Sequence, residues 1–162
     1  ALPSVLRDYP NCTLSVIGRA KANGETQKQI KRLGLESKIS FHSELSEQDI
    51  VELYSSSDIA VIPSLYEGFG FGAGEAMACG IPLISTHSGG LKEVVGKAAI
   101  KVKSRDSEAL SIAIKDLFSN PDKRDHYKRV GRERMEKEFQ WQNAAKKYVE
   151  IFEEEIDRFK TN

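Results

Sequence analysis

Cysteine is almost missing from this chain: Cys12 and Cys79 are the only two in 162 residues. They stand far apart, in no C-x-x-C pair and with no histidine at metal-ligand spacing, which excludes a disulfide framework and a zinc site. Two isolated thiols read as small buried hydrophobes in a reducing compartment. A surplus of either charge is also missing, with 24 Lys and Arg against 24 Asp and Glu and an isoelectric point near 7.1. A surface that grips phosphate backbones needs a basic excess, so a dedicated nucleic-acid binder is excluded. No apolar run approaches the roughly 20 residues that a helix needs to cross a bilayer. No leader-like segment opens the chain either, which points to a cytoplasmic protein. Repeats, low-complexity tracts and flexible linkers are lacking. What is present is a 40% hydrophobic content in an 18.1 kDa chain, enough for one core in one domain.

Short apolar runs rich in β-branched residues alternate with longer amphipathic stretches. The runs at 13–17, 39–42, 59–63 and 82–85, and a weaker one at 99–102, are too short for core helices and do not alternate with polar residues. That pattern suits strands covered on both faces. Between them, 25–33 carries Ile30 and Leu33 on one side and stops at Gly34. The stretch 46–56 opens with a capping-box pattern, Ser46 and Asp49, ahead of an inward stripe of Ile50, Val51, Leu53 and Tyr54. Residues 1–9 look like the tail of a helix. From Asp106 onward the periodicity is helical throughout, over 108–118, 121–139 and 141–160, the last with Trp141, Tyr148, Phe152, Ile156 and Phe159 on one face. Strand and helix in alternation predict an α/β domain with three layers and a mostly parallel sheet joined by right-handed crossovers.

Four glycines, Gly68, Gly70, Gly72 and Gly74, follow the strand at 58–62 and lead into a helix at about 72–78. The carboxyl ends of parallel strands form the edge where open α/β sheets bind ligands. Backbone without Cβ atoms exposes N–H groups, and so does the start of a helix. Glu67 and Glu75 flank this turn. An ionised carboxylate only accepts hydrogen bonds, so each can take a pair from vicinal sugar hydroxyls. In a chain with sixteen Glu such a spacing also arises by chance, and Glu75 would equally complement the helix dipole. Gly68-Phe69-Gly70-Phe71-Gly72-Ala73 matches a G-x-G-x-x-A dinucleotide fingerprint in form, with Glu93 about 20 residues on. That fingerprint turns directly off the first strand of its fold, whereas Ser64–Glu67 intervene here and at least two strands come before.

Glu67-Gly68-Phe69-Gly70, Glu75-Ala76-Met77-Ala78-Cys79-Gly80-Ile81-Pro82 and Gly89-Gly90-Leu91-Lys92-Glu93-Val94-Val95 together resemble the signature of retaining glycosyltransferases of family four, also called group one. The likeness covers nearly the whole chain. It implies a Rossmann-like domain, the carboxy-terminal, nucleotide-sugar-binding half of a two-domain GT-B enzyme. The amino-terminal half, which mainly holds the acceptor, would be absent. By the resemblance, Glu67 is the catalytic-site carboxylate on the donor sugar's hydroxyls, and backbone at Gly68, Phe69, Gly70 and Phe71 faces sugar and diphosphate. Glu75 takes the ribose hydroxyls, and Leu45 lies against the base. The implied reaction moves a hexose from a nucleoside diphosphate to a lipid or saccharide acceptor. It needs no obligatory metal and no cofactor beyond the donor substrate. The setting is cytoplasmic, and a peripheral seat on the membrane face is compatible with it. The fragment alone would be inactive.

Two features depart from that pattern. Family members place proline and then a larger residue where Gly72 and Gly74 stand, and glycine loosens the helix start. The family's first strand, whose loop supplies Arg and Lys to the diphosphate, would precede Ala1, so the sheet is expected to show a gap or an unpaired inner edge. Arg19 and Lys21 are the nearest substitutes, and solvent-facing loop charges are the plainer reading. His42 reads as a packed strand-end histidine and His126 as a solvated one. His87-Ser88-Gly89-Gly90 sits on the ligand edge and offers a second amide surface. Two other classes stay open: a non-catalytic module that binds nucleotide sugar or sugar, and a glycoside hydrolase or phosphorylase. The second would need its two carboxylates only about 5–5.5 Å apart, which a loop-plus-helix spacing does not favour.

Overall fold

The computed structural model describes residues 1–160. Five strands, β1 (Leu14–Ile17), β2 (Ile39–His42), β3 (Ala60–Ile62), β4 (Leu83–Thr86) and β5 (Ile100–Val102), alternate with α1 (Leu2–Asp8), α2 (Glu25–Arg32), α3 (Glu47–Ser55), α4 (Phe71–Ala78) and α5 (Leu91–Val95). Three helices follow, α6 (Ser107–Ser119), α7 (Pro121–Glu138) and α8 (Trp141–Lys160). Every strand pair is parallel, in agreement with the α/β reading. Ser46 caps α3 as expected: its side chain accepts from the Asp49 N–H, while the Asp49 carboxylate accepts from the Ser46 N–H at 2.9 Å.

β4 is buried along its whole length because it lies between β3 and β5 and between two helical layers. Leu83 faces α4, α5 and α7, joining Ala73, Met77, Leu91, Val94 and Met135 in one core. Ile84 faces the other way and packs with Ala113 and Leu117 of α6. Gly131 lets α7 approach α4 closely, since a Cβ there would stand 3.2 Å from Met77 Cγ. α1 covers α6 from outside, with Val5 buried and the Tyr9 and Phe118 rings 4.9 Å apart.

The expected discontinuity in the sheet is present. β1 and β2 form one two-stranded sheet, and β3, β4 and β5 form another. A cavity of about 520 Å³ lies between the leading ends of β1 and β3, lined by Thr13, Ser15, Asp58 and Ile59 among others. β1 is accordingly exposed at Leu14 and Ile17. Some apolar faces that the periodicity predicts as inward are not covered. α2 and α3 have no buried residue, and Leu33 and Val51 are exposed. α8 keeps its helical stripe, but Trp141 is 87% exposed and Tyr148, Phe152, Ile156 and Phe159 are exposed too. The stripe is correctly placed, and its large side chains stand exposed.

Candidate functional site

The glycine turn is built where β3 runs out. β3 ends at Ile62, and Pro63 has no N–H with which to extend the ladder. Side chains take over from backbone at the next carbonyl. Thr86 Oγ1 donates to the Ser64 carbonyl at 2.6 Å and Ser88 Oγ donates to it at 3.0 Å. The Gly90 N–H donates to the Glu67 carbonyl at 2.9 Å. A Cβ on Gly89 would fall 2.1 Å from the Glu67 carbonyl oxygen, and one on Gly90 would fall 2.2 Å from that of Gly68. The loop after β4 therefore serves as the bed of the loop after β3. Of the second amide surface expected at His87-Ser88-Gly89-Gly90, the Gly90 N–H is committed to the Glu67 carbonyl.

Gly70, at φ +105°, turns the chain into α4, whose first turn receives no side-chain cap. The Phe71 and Gly72 N–H groups are thus left for an anionic or hydroxyl-rich ligand, while that of Ala73 donates to the Gly70 carbonyl at 3.0 Å. Gly68 has open space at its Cβ position and is exposed, Phe69 is half-exposed, and Gly70 is buried against Leu91. Phe71 is 72% exposed, and its ring centroid lies 4.9 Å from that of Phe69.

Glu67 is half-buried, and Ser64 Oγ donates to its Oε2 at 3.3 Å. Glu75 is exposed in the second turn of α4. Neither carboxylate forms an ion pair among the described residues. Tyr54 links the helix start to α3 by donating its hydroxyl to the Gly72 carbonyl at 3.2 Å. Burial, with the negative charge of Glu75 and then Cys79 behind it, pushes the Tyr54 phenol up to about 12, so it remains a donor at neutral pH. Glu75 also lines a cavity of about 630 Å³ walled by Phe69, Phe71, Met135, Phe139 and Trp141. Glu67 lies outside that cavity.

The remaining candidates are dispersed. Leu45 is half-buried in a separate groove with His42, Asp49, Glu52, Leu53 and Ser56, at the end of the two-stranded sheet. His42 Nε2 shares a 3.0 Å hydrogen bond with Ser40 Oγ. Arg19 pairs with Glu44, and both are exposed. His87 has a buried Nε2 with no hydrogen-bond partner among the described residues. Burial, then Lys101 and Lys92, lowers its pKa and favours the neutral ring. In the sequence, Ser64 and Ser88 stand out only as neighbours of glycine strings. The Thr86 and Ser88 hydroxyls close contacts 22 and 24 residues apart, for which no local pattern exists. The one available signal was a Ser or Thr just past the end of each of two neighbouring strands.

Known proteins show the same organisation. A family model described as glycosyl transferases group 1 matches residues 1–134. The MMP alpha-(1->4)-mannosyltransferase of Mycolicibacterium hassiacum is 35% identical over 156 residues, which are 94% of this chain and 38% of that protein. Among solved structures, the sucrose-phosphate synthase of Thermosynechococcus elongatus superposes with a TM-score of 0.82 at 25% identity, over 97% of this chain and 42% of that one. Anabaena Alr3699/HepE, solved in complex with UDP and glucose, gives 0.77 at 23% identity, over 94% of this chain and 44% of that one. This chain thus spans less than half of the length of each of these relatives. Since the matched span contains both interlocked loops and all of α4, the chain belongs to the glycosyl transferases group 1 family.

Proposed function

We propose that this chain is the donor-binding half of a hexosyltransferase that moves a sugar, with retention of configuration, from a nucleoside diphosphate to a lipid or saccharide acceptor. Glu67 accepts hydrogen bonds from the donor sugar's hydroxyls and Glu75 from the ribose. The open amides of α4 face the diphosphate, and Leu45 lies towards the base. Catalysis in such a site rests on positioning and on electrostatic support of an oxocarbenium-like centre and its departing diphosphate. The reading draws most support from one observation. Two carboxylates that have no basic partner among the described residues flank an uncapped helix start at the carboxyl end of a parallel strand. A carboxylate held by Lys or Arg would have fewer lone pairs free for a polyol and part of its charge already neutralised. Acceptor binding falls mainly to the rest of a longer protein, in the cytoplasm or against its membrane face, and the present chain alone is inactive.

The test is a calorimetric screen of the full-length protein against uridine, guanosine and adenosine diphosphate sugars, followed by NMR of the anomeric configuration of any product. Binding of at least one donor and a retained anomer are expected. Failure to bind any of them removes the proposal, and an inverted anomer removes its mechanism.

A further inference from the structure

We infer that Ser64, Thr86 and Ser88 form a hydroxyl relay that positions Glu67, and that donor-sugar affinity depends on it. The inference rests on the role proposed for Glu67 and adds three positioning residues. The relay runs from β4 to the carboxylate in two steps. Thr86 Oγ1 and Ser88 Oγ converge on the Ser64 carbonyl, at 2.6 and 3.0 Å, and fix the Ser64–Leu65 peptide. Ser64 Oγ then donates to Glu67 Oε2 at 3.3 Å. Thr86 is only 2% exposed, so the anchoring end lies in the core while the working end faces the site.

The chemistry of a carboxylate gives this arrangement its purpose. Glutamate has three side-chain torsions, and free in solvent it samples many rotamers that a ligand must then restrict. A hydroxyl already bonded to Oε2 removes part of that freedom and leaves Oε1 for the ligand. The backbone below cannot yield, because Gly89 and Gly90 fill the space under the Glu67 and Gly68 carbonyls. A fixed loop with one carboxylate oxygen anchored presents the remaining acceptor positions to a sugar ring in one orientation, which is a device for selectivity as well as affinity.

Ser64→Ala, Ser64→Thr, Thr86→Val and Thr86→Ser in the full-length protein test the relay. Binding is measured to uridine, guanosine and adenosine diphosphate and to the matching glucose and mannose derivatives. Ser64→Ala and Thr86→Val should weaken the sugar-bearing ligand about three- to tenfold, the worth of one net hydrogen bond, and leave the bare diphosphate unchanged. Ser64→Thr and Thr86→Ser should restore affinity to within about twofold, which a purely structural role would not require. A crystal structure of Ser64→Ala should show the Glu67 carboxylate moved from its present rotamer. Equal losses for both ligands, no loss for the sugar-bearing one, or an unmoved Glu67 would each overturn the relay while leaving the donor-binding reading intact. Wild-type protein that binds no sugar nucleotide would overturn both.

Discussion

Gly90→Ala tests the interlocking of the two loops with little interference from backbone conformation. Gly90 has φ −66° and ψ −16°, where alanine is at ease, so any cost must come from its methyl group. That methyl would stand 2.2 Å from the Gly68 oxygen, 2.9 Å from the Gly68 carbonyl carbon and 3.0 Å from Phe69 Cα. Carbon and oxygen approach ordinarily to about 3.3–3.6 Å, so the loops must separate by roughly 1 Å. The obstacle is backbone and cannot swing aside. Overpacking of this kind costs about 1–3 kcal/mol, and stretching the 2.9 Å bond from the Gly90 N–H to the Glu67 carbonyl adds about 1 kcal/mol. For a domain of this size a loss of about 2–4 kcal/mol lowers Tm by roughly 4–15 °C. Gly74→Ala is the control, because its methyl would meet Met135 Sδ at 3.7 Å and Val94 Cγ1 at 3.9 Å, ordinary contact inside α4. It should raise stability by up to about 1 kcal/mol through helix propensity. Thermal melts of both variants, with sugar-nucleotide titrations of the full-length protein, provide the assay. A Gly90→Ala protein that melts with the wild type and binds donor equally well would refute the interlock.

Two further outcomes follow from single side chains. Arg134 donates Nε to the Val94 carbonyl at 2.8 Å and Nη2 to the Glu93 carbonyl at 2.6 Å, closing the end of α5, and pairs with Glu138 at 2.7 Å. Arg134→Ala should cost about 2–3 kcal/mol in a urea titration, and lysine should rescue little, since it lacks the planar fork that spans two carbonyls. A loss below about 0.5 kcal/mol, the range of an unremarkable surface site, would show that this cap contributes nothing. His87 sits below its ordinary value near 6.5 through burial, Lys101 and Lys92. As pH falls through 6.5 the unfolded chain takes up a proton that the fold resists, so stability should decline from 6.5 down to the folded pKa and be independent of this group above 6.5. His87→Gln should flatten that decline in melts recorded between pH 5 and 7.5, and an unchanged slope would assign it to other groups.

Much of the fold was legible because it depends on local periodicity. β2 and α8 have the boundaries that the pattern predicts, and the Ser46–Asp49 box closes as the residue types require. The glycine turn was legible for a related reason, since a strand end, bare backbone and a helix start occur consecutively. Burial was harder to read. Ile50, Val51, Leu53 and Tyr54 mark an apolar face on α3, but whether a face is covered depends on what lies across from it. The exposed stripe of α8 makes the same point. The least legible feature was the support under Glu67. Ser64 meets Thr86 and Ser88 only because β3 and β4 are neighbours, with Ile62 paired to Ser85. Arg134 reaches α5 from 40 residues away for the same kind of reason. Contacts set by strand order and helix docking leave no mark on the spacing of residues along the chain.

The division of labour between the two carboxylates is best measured by titrating full-length Glu67→Ala and Glu75→Ala proteins, in a calorimeter, with a nucleoside diphosphate and with its sugar derivative. Glu75→Ala should weaken both ligands by about tenfold or more, as expected for lost bonds to a charged acceptor, because both carry the ribose. Glu67→Ala should weaken only the sugar-bearing one. If the two variants instead lose both ligands to the same extent, or lose neither, the assignment of sugar to the loop and ribose to the helix is wrong.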